Sequence, residues 1–198
     1  MELTRNRRQA WALLAAFIVN FTTGGIPFSF GIYEALYESQ ATKGSTSFTD
    51  ASSSDIDLIG SLSASIMTMC APFAVTWVKY FGTSRVVWAG VILFGLANVL
   101  ASFGTTLWHF QLSQGLLLGI GTSLTFVPSM AMTPTWFRGR RGLAMGFVSA
   151  GTGIGGLVWA LVITACVANI GFRDTLCMTG AVTAALLGGA GFALDWEP

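Results

Sequence analysis

Hydrophobic residues are gathered into six long, largely apolar runs, and shorter polar segments separate them. A helix needs about 20 apolar residues to cross a bilayer, and the shortest run, with 18 residues, is close to that minimum. The pattern therefore predicts six transmembrane helices, numbered in chain order, over residues 11–33, 56–80, 86–103, 107–132, 143–167 and 176–194. The polar, Ser/Thr-rich segment 34–55 is predicted to be a loop.

The composition supports a membrane protein. Charged residues make up 10% of the chain and hydrophobic residues 53%, whereas soluble domains have about 25% charged residues. The first apolar run has 23 residues, longer than the apolar region of about 7–15 in a signal peptide. It is therefore predicted to remain as a membrane anchor. The three cysteines lie in apolar segments and predict neither a disulfide framework nor a metal site, and no cofactor is expected.

The positive charges predict the orientation. If the N-terminus is cytoplasmic, the inner segments hold eight Lys and Arg residues, and the outer segments hold only Lys43 and Arg173. Cytoplasmic loops of membrane proteins carry such an excess. We therefore predict an integral membrane protein, in the plasma membrane, with both termini in the cytoplasm. The largest inner cluster is Arg138, Arg140 and Arg141, which is predicted to act in orientation and cytoplasmic gating.

Small residues recur along predicted helix 5. Their spacing of three and four places them on one stripe of the helix: Gly142, Gly146, Ser149, Gly153 and Gly156. Glycine costs about 1 kcal/mol relative to alanine in an exposed helix. We therefore expect this stripe to be a close-packing surface, which another helix or a substrate path approaches.

The beginning of the same helix resembles a known family. The residues Trp136, Phe137, Arg140, Arg141, Leu143, Ala144, Gly146, Ala150 and Gly151 follow a pattern of the monocarboxylate transporter family, within the major facilitator superfamily. A second, weaker similarity to the same family is the segment Ile59-Gly60-Ser61-Leu62. The resemblance implies the N-terminal six-helix bundle of this fold, built from two inverted three-helix repeats. It also implies a lipid bilayer, a small-molecule substrate and a second six-helix bundle as partners, and no nucleic acid.

Interrupted helices at matching positions of two repeats mark the binding sites of such carriers. Helices 1 and 4, the first of each triplet, combine glycine pairs with a proline, and the predicted interruptions are Gly24, Gly25, Pro27, Gly119, Gly121 and Pro128. Polar or aromatic side chains on the same helices are candidates for the substrate cavity: Asn20, Thr23, Ser29, Phe30, Gln114, Ser123, Thr125 and Ser129. Hydrogen bonding between helices is the alternative role of each polar candidate.

The sequence leaves two chemical classes of transported solute open. Animal members of the family carry a lysine on the outer part of helix 1, and the matching segment 28–33 has no cation. No charged residue lies at mid-membrane depth in the six runs, although proton relays and carboxylate clamps use such groups. A monocarboxylate-like solute and a neutral or weakly polar one both remain possible.

Enzymatic activity is not expected. The segment 151–156 satisfies G-x-G-x-x-G, but no strand precedes it, as a dinucleotide site requires. An intramembrane serine protease would need a histidine near its serine, and His109 lies about 21 Å along the helix from Ser123. The alternative to a carrier half is a non-transporting membrane subunit or a truncated product that pairs with complete carriers.

Overall fold

The structure is a computed structural model that describes residues 2–42, 52–137 and 139–193. All regular secondary structure in these residues is helical, as predicted, and forms six rods. Helices 2, 3, 5 and 6 comprise Ser53–Phe81, Thr83–Ser102, Arg141–Ile170 and Phe172–Ala193. Helix 1 comprises Glu2–Val19, the π-helical Asn20–Gly24, Gly25–Phe28 and Phe30–Thr42, and helix 4 comprises Leu107–Phe110, the π-helical Gln111–Leu117 and Leu118–Trp136.

Most of these rods can cross a bilayer. Five stretches in the described chain are long and apolar enough, namely Gln9–Glu38, Ser53–Phe81, Thr83–Ser102, Leu107–Trp136 and Arg141–Ile170. Helix 6 has 22 residues and is therefore about 33 Å long, close to the thickness of a hydrocarbon core. It packs along helix 3, where a Cβ on Gly180 would lie 3.0 Å from the Cβ of Asn98.

Helix 1 continues well beyond its predicted end. The predicted loop 34–55 is wrong for residues 34–42, which are helical. Residues 43–51 lie outside the described part of the chain. Tyr33 and Tyr37 are four residues apart, so both face the bundle, where both are buried. This apolar face holds the helix against its neighbours although the polar Glu34 and Glu38 interrupt the hydrophobic run. In helices 2 to 6, each first and last residue that the structure describes lies within four residues of the predicted one.

The helix contacts repeat with the symmetry of two three-helix units. Helix 4 packs against helices 2 and 3. In the same way, helix 1 packs against helices 5 and 6. Helices 3 and 6 pack against each other. Exchanging helices 1, 2 and 3 for helices 4, 5 and 6 therefore preserves the contacts, as expected for two repeats that share one fold.

Glycines mark the closest crossings of these pairs. A Cβ on Gly25 of helix 1 would lie 2.6 Å from the carbonyl carbon of Gly155 in helix 5. In the other repeat, a Cβ on Gly119 of helix 4 would lie 2.8 Å from the backbone carbonyl oxygen of Ser63 in helix 2. Only residues without a side chain allow backbones to approach this closely, which explains the glycines in both first helices.

No helix of the described chain packs closely on most of the predicted stripe of helix 5. No described atom of another helix lies within 4 Å of a Cβ built on Gly142, Gly146 or Gly153, and Ser149 is exposed. Gly156 lies at the edge of the contact, where its Cβ would be 3.2 Å from the Cβ of Phe28.

The packed stripe of helix 5 lies beside the predicted one. Its buried residues are Ala144, Val148, Gly151, Gly155, Trp159 and Ile163. A Cβ on Gly151 would lie 2.9 Å from the carbonyl oxygen of Phe17, and one on Gly155 would overlap the carbonyl oxygen of Phe21. Both stripes have helical spacing and small residues, so the spacing alone could not distinguish the one that faces helix 1.

Candidate functional site

Helices 1 and 4 are irregular at corresponding places in the two repeats. Each contains a π-helical segment, and the other helices of the described chain contain none. Helix 1 has a second irregularity at Ser29, whose backbone angles of φ −87° and ψ 4° depart from the helix. Of the predicted interruption residues, Gly24 ends the π-helical segment, and Gly25 and Pro27 lie in the α-helical turn between the two irregularities. Single π-helical turns occur frequently at functional sites.

The predicted interruption of helix 4 is misplaced. The π-helical segment ends at Leu117, and the helix then runs regularly through Gly119, Gly121 and Pro128 to Trp136. The two glycines serve instead as contact points, since a Cβ on Gly121 would lie 2.8 Å from the backbone nitrogen of Phe94. Proline is tolerated inside membrane helices where neighbouring groups satisfy the freed carbonyl.

One cavity lies between helices 1, 2 and 4, near the end of the bundle that carries Tyr37, and Asn98 of helix 3 also lines it. Its volume is about 410 Å³. Apolar and aromatic side chains dominate its lining, which consists of Ile26, Pro27, Phe28, Phe30, Gly31, Tyr33, Gly60, Ser63, Ala64, Met67, Asn98, Gln114, Leu118 and Thr122. Mostly apolar cavities of about 300–1,000 Å³ with a few polar groups are typical of small-molecule sites.

Two amide side chains supply most of the polarity of this cavity. The Tyr37 hydroxyl donates a hydrogen bond of 2.6 Å to Oε1 of Gln114, and Nδ2 of Asn98 donates one of 3.0 Å to the Phe94 carbonyl oxygen. Neither Nε2 of Gln114 nor Oδ1 of Asn98 has a hydrogen-bond partner among the described residues. The cavity therefore retains the Nε2 donor of Gln114 and the Oδ1 acceptor of Asn98. The hydroxyl of Tyr33, which also belongs to the lining, has no hydrogen-bond partner among the described residues either.

An aromatic cluster holds Tyr37 in place. Its ring centroid lies 5.2 Å from that of Phe172, 5.6 Å from that of Phe110 and 6.2 Å from that of Tyr33. Such ring pairs are favourable at these separations. Because the three partners come from helices 6, 4 and 1, the cluster fixes the hydroxyl that contacts Gln114.

Only two of the predicted cavity residues line this cavity. They are Phe30 and Gln114. The other six do not belong to its lining and are buried between or within helices: Asn20, Thr23, Ser29, Ser123, Thr125 and Ser129.

Hydrogen bonds account for most of these buried residues. Nδ2 of Asn20 donates to the Ala16 carbonyl oxygen at 2.8 Å and to Oγ of Ser129 at 3.1 Å, which ties helix 1 to helix 4. The Thr23 hydroxyl donates to the carbonyl oxygen of Val19, one turn earlier. The alternative role, hydrogen bonding between helices, is thus observed for Asn20 and Ser129. The hydroxyls of Thr23, Ser29 and Thr125 donate to carbonyl oxygens of their own helix.

The cavity carries no charge within the described residues. No Asp, Glu, Lys, Arg or His belongs to its lining. At the Tyr37 end of the bundle the carboxyl groups of Glu34 and Asp57 interact with each other. At the opposite end, Nε2 of Gln9 donates to the Trp136 carbonyl oxygen at 3.1 Å and joins helices 1 and 4. Arg140 and Arg141 are exposed there, and Arg138 lies outside the described residues.

Sequence reasoning missed several residues of the site. Tyr37 fell in the segment predicted to be a loop, so its contact with Gln114 was not foreseen. Asn98 carried a usable signal, because an amide within an apolar run is unusual in a membrane helix. Gly60, in the segment of weaker family similarity, packs under the ring of Phe30, where its Cβ would lie 2.6 Å from Cδ1.

Together, the six helices, their two-repeat symmetry and the uncharged cavity define a polytopic membrane protein of the transporter type. A family model for the Major Facilitator Superfamily matches residues 12–198. The chain belongs to this superfamily, and its recognition as a protein similar to monocarboxylate transporters is confirmed. The fold is the N-terminal-type bundle of six membrane helices.

Relatives with transporter names support this assignment. The chain is 39% identical over 153 residues to the Saccharomyces cerevisiae protein named "Probable transporter MCH2", covering 76% of this chain and 31% of that protein. It is 32% identical over 185 residues to the MFS-type transporter pytF of Aspergillus terreus, covering 93% and 60%. It is 31% identical over 175 residues to monocarboxylate transporter 13 of Rattus norvegicus, covering 86% and 38%. The chain thus spans between about a third and three fifths of these relatives.

Proposed function

We propose that this chain is one half of a carrier that moves a small organic solute across a membrane by alternating access. The observation that carries the proposal is the cavity between helices 1, 2 and 4, beside the two irregular helices. In carriers built from repeats, substrate sites lie where discontinuous helices of the two repeats meet. The transporter names of the relatives agree with this function.

A second six-helix bundle is the partner that the exposed surface favours. In an apolar stretch of 18 residues, only 17% of the residues are buried in helices 2 and 5, against 50% to 56% in helices 1, 3 and 4. The unburied face of helix 5 includes the small residues Gly142, Gly146, Ser149 and Gly153. Small residues allow close helix approach in a membrane, whereas lipid contact does not require them.

Helix 2 has a comparable face. Its exposed small polar residues Ser61, Ser65, Thr68 and Thr76 follow helical spacing. Together the two faces form a surface on which helices of a second bundle could pack, on the same or another polypeptide. The greater length of the relatives agrees with this arrangement.

The orientation follows from the cations. The end that carries Gln9, Trp136, Arg140 and Arg141 is proposed to be cytoplasmic, so the cavity end at Tyr37 faces outward, in the plasma membrane. The arginines at the start of helix 5 would then act in orientation and cytoplasmic gating. A monocarboxylate-like or a neutral solute is compatible with this arrangement.

Cysteine labelling tests alternating access. Cys70, Cys166 and Cys177 are replaced by alanine, and Met67→Cys is introduced into the cavity of the protein at its native length. A membrane-impermeant thiol reagent is applied to right-side-out and to inside-out vesicles. We expect Met67→Cys to react in both, because the cavity opens alternately to the two sides.

Phe103→Cys is the control, since Phe103 is 72% exposed in the turn after helix 3 and lies outside the cavity. It should react only in right-side-out vesicles. Reaction of Met67→Cys from one side alone would exclude alternating access and favour a non-transporting subunit.

A further inference from the structure

We infer that the cavity selects an uncharged, largely apolar solute, and that Gln114 recognises a hydrogen-bond acceptor on it, such as a carbonyl oxygen. This inference rests on the proposed function, because it names the substrate class of the same site. It distinguishes between the two solute classes that the sequence left open. Three features of the cavity support it: its size and lining, its charge, and the hydrogen bonds of Gln114.

The size and the lining favour an apolar molecule larger than a short carboxylic acid. The volume of about 410 Å³ lies within the range of cavities that enclose drug-sized ligands. The rings of Phe28, Phe30 and Tyr33 lie along the helix 1 side, and Met67 lies on the helix 2 side. Aromatic rings favour planar apolar partners, which can stack on their faces or edges.

The charge of the lining that this chain supplies disfavours an anion. A carboxylate moved from water into an apolar site requires a cation or several hydrogen bonds to replace its hydration. The cavity has no cation in the described part of the chain. At the Tyr37 end, the acidic Glu34 and Asp57 interact with each other, and the cation Arg173 donates a hydrogen bond to the carbonyl oxygen of Gly104 and does not belong to the lining.

The contacts of Gln114 determine which group it offers. A tyrosine hydroxyl has a single proton, and that of Tyr37 is donated to Oε1 of Gln114. The amide acceptor is therefore occupied, whereas the two protons on Nε2 have no described partner. Gln114 lines the cavity, so a carbonyl oxygen of a bound solute can supply the acceptor that Nε2 lacks among the described residues. Tyr37 is then a positioning residue that prevents the amide from rotating by half a turn.

Photolabelling with benzophenone tests this inference in membranes that contain the protein at its native length. Benzophenone is an uncharged diaryl ketone that inserts into nearby C–H bonds on illumination, with a preference for methionine. We expect labelling of Met67, which lines the cavity, to exceed that of Met69, which is 69% exposed on the same helix and lies outside the cavity. Binding in the cavity predicts that labelling of Met67 reaches saturation as the benzophenone concentration rises, whereas labelling of Met69 from dissolved benzophenone keeps rising. If labelling of Met67 also fails to saturate, the cavity does not bind this class.

Three competitors of similar shape then identify the recognised group. Acetophenone carries a carbonyl acceptor, ethylbenzene carries none, and benzoate is an anion. We expect acetophenone to displace the label from Met67 at about a tenfold lower concentration than ethylbenzene, the effect of one hydrogen bond. Benzoate should not compete. Competition by benzoate at the concentration effective for acetophenone would overturn the inference in favour of a monocarboxylate.

Two variants test the role of the amide, with preference for acetophenone over ethylbenzene as the readout. Gln114→Leu should abolish this preference while Met67 is still labelled. Tyr37→Phe should reduce it, because the amide can then rotate. The control Gln111→Leu, one turn earlier and outside the cavity, should retain it. Retention of the preference in Gln114→Leu would refute recognition by this residue.

If a variant fails to fold, the competition in the unmodified protein still decides the substrate class. Failure of the proposed function would be seen separately. In that case Met67→Cys would react from one side only, while the preference for acetophenone at Met67 would be unchanged.

Discussion

Gly25 of helix 1 and Gly155 of helix 5 are in backbone contact at the crossing of the two helices. A Cβ on Gly25 would lie 2.6 Å from the carbonyl carbon of Gly155, and a Cβ on Gly155 would overlap the carbonyl oxygen of Phe21. The π-helical segment of helix 1 ends directly before this point. The crossing therefore couples the position of the irregular helix to helix 5, which carries the exposed stripe of small residues.

The crossing predicts different effects for neighbouring glycines. Gly155→Leu should destabilise the bundle by about 1–3 kcal/mol or more, because the new side chain has to displace backbone atoms of helix 1. Gly153→Leu should leave the stability of the bundle nearly unchanged, because nothing described lies within 4 Å of a Cβ there.

Thermal unfolding in detergent and expression level would measure both variants. Equal loss in Gly153→Leu and Gly155→Leu would contradict the observed contact. If a second bundle covers the exposed stripe, Gly153→Leu should instead weaken its association, which chemical cross-linking of the native-length protein would detect.

The hydrogen bond between Asn20 and Ser129 should contribute modestly to the contact of helices 1 and 4. Hydrogen bonds between membrane helices average about 0.6 kcal/mol in double-mutant cycles. We expect a coupling energy of this order between Asn20→Ala and Ser129→Ala, measured by unfolding of the single and double variants. Asn169→Ala, whose amide donates only to the Ala165 carbonyl oxygen at an exposed site, serves as control. Strictly additive effects of Asn20→Ala and Ser129→Ala would show that the contact carries no energy.

The distribution of cations predicts the topology. A tag inserted near Ser45 should be accessible in intact cells, and a reporter fused after Pro198 should be cytoplasmic, because the positive-inside rule orients the helices. Antibody binding before and after permeabilisation measures both. Protection of the Ser45 tag until the cells are permeabilised would reverse the proposed orientation.

The arginines at the start of helix 5 should affect orientation more than packing. Arg140 and Arg141 are exposed, so replacing both by glutamine should leave the unfolding temperature of the bundle almost unchanged. The same change removes two of the eight inner cations and should increase the fraction of inverted molecules, as tag accessibility reports. A large loss of stability would instead indicate that these side chains hold the fold together.

The sequence alone determined the helices and their membrane character. Runs of about 20 apolar residues have few alternatives to a spanning helix, because a bilayer forces every backbone polar group to be satisfied within the segment. The motif around Arg140, Arg141 and Gly146 likewise sufficed to recognise the superfamily, which the match over residues 12–198 confirms. Both inferences use local information.

Only the tertiary structure decided which face of each helix meets which neighbour. Gly153 and Gly155 differ by two positions in the same helix, and packing against helix 1 makes one a contact and leaves the other open. Asn20 and Gln114 are both amides in membrane helices, yet one joins two helices and the other lines the cavity. Helical spacing defines several faces of similar composition. The choice among them depends on long-range contacts that no local pattern contains.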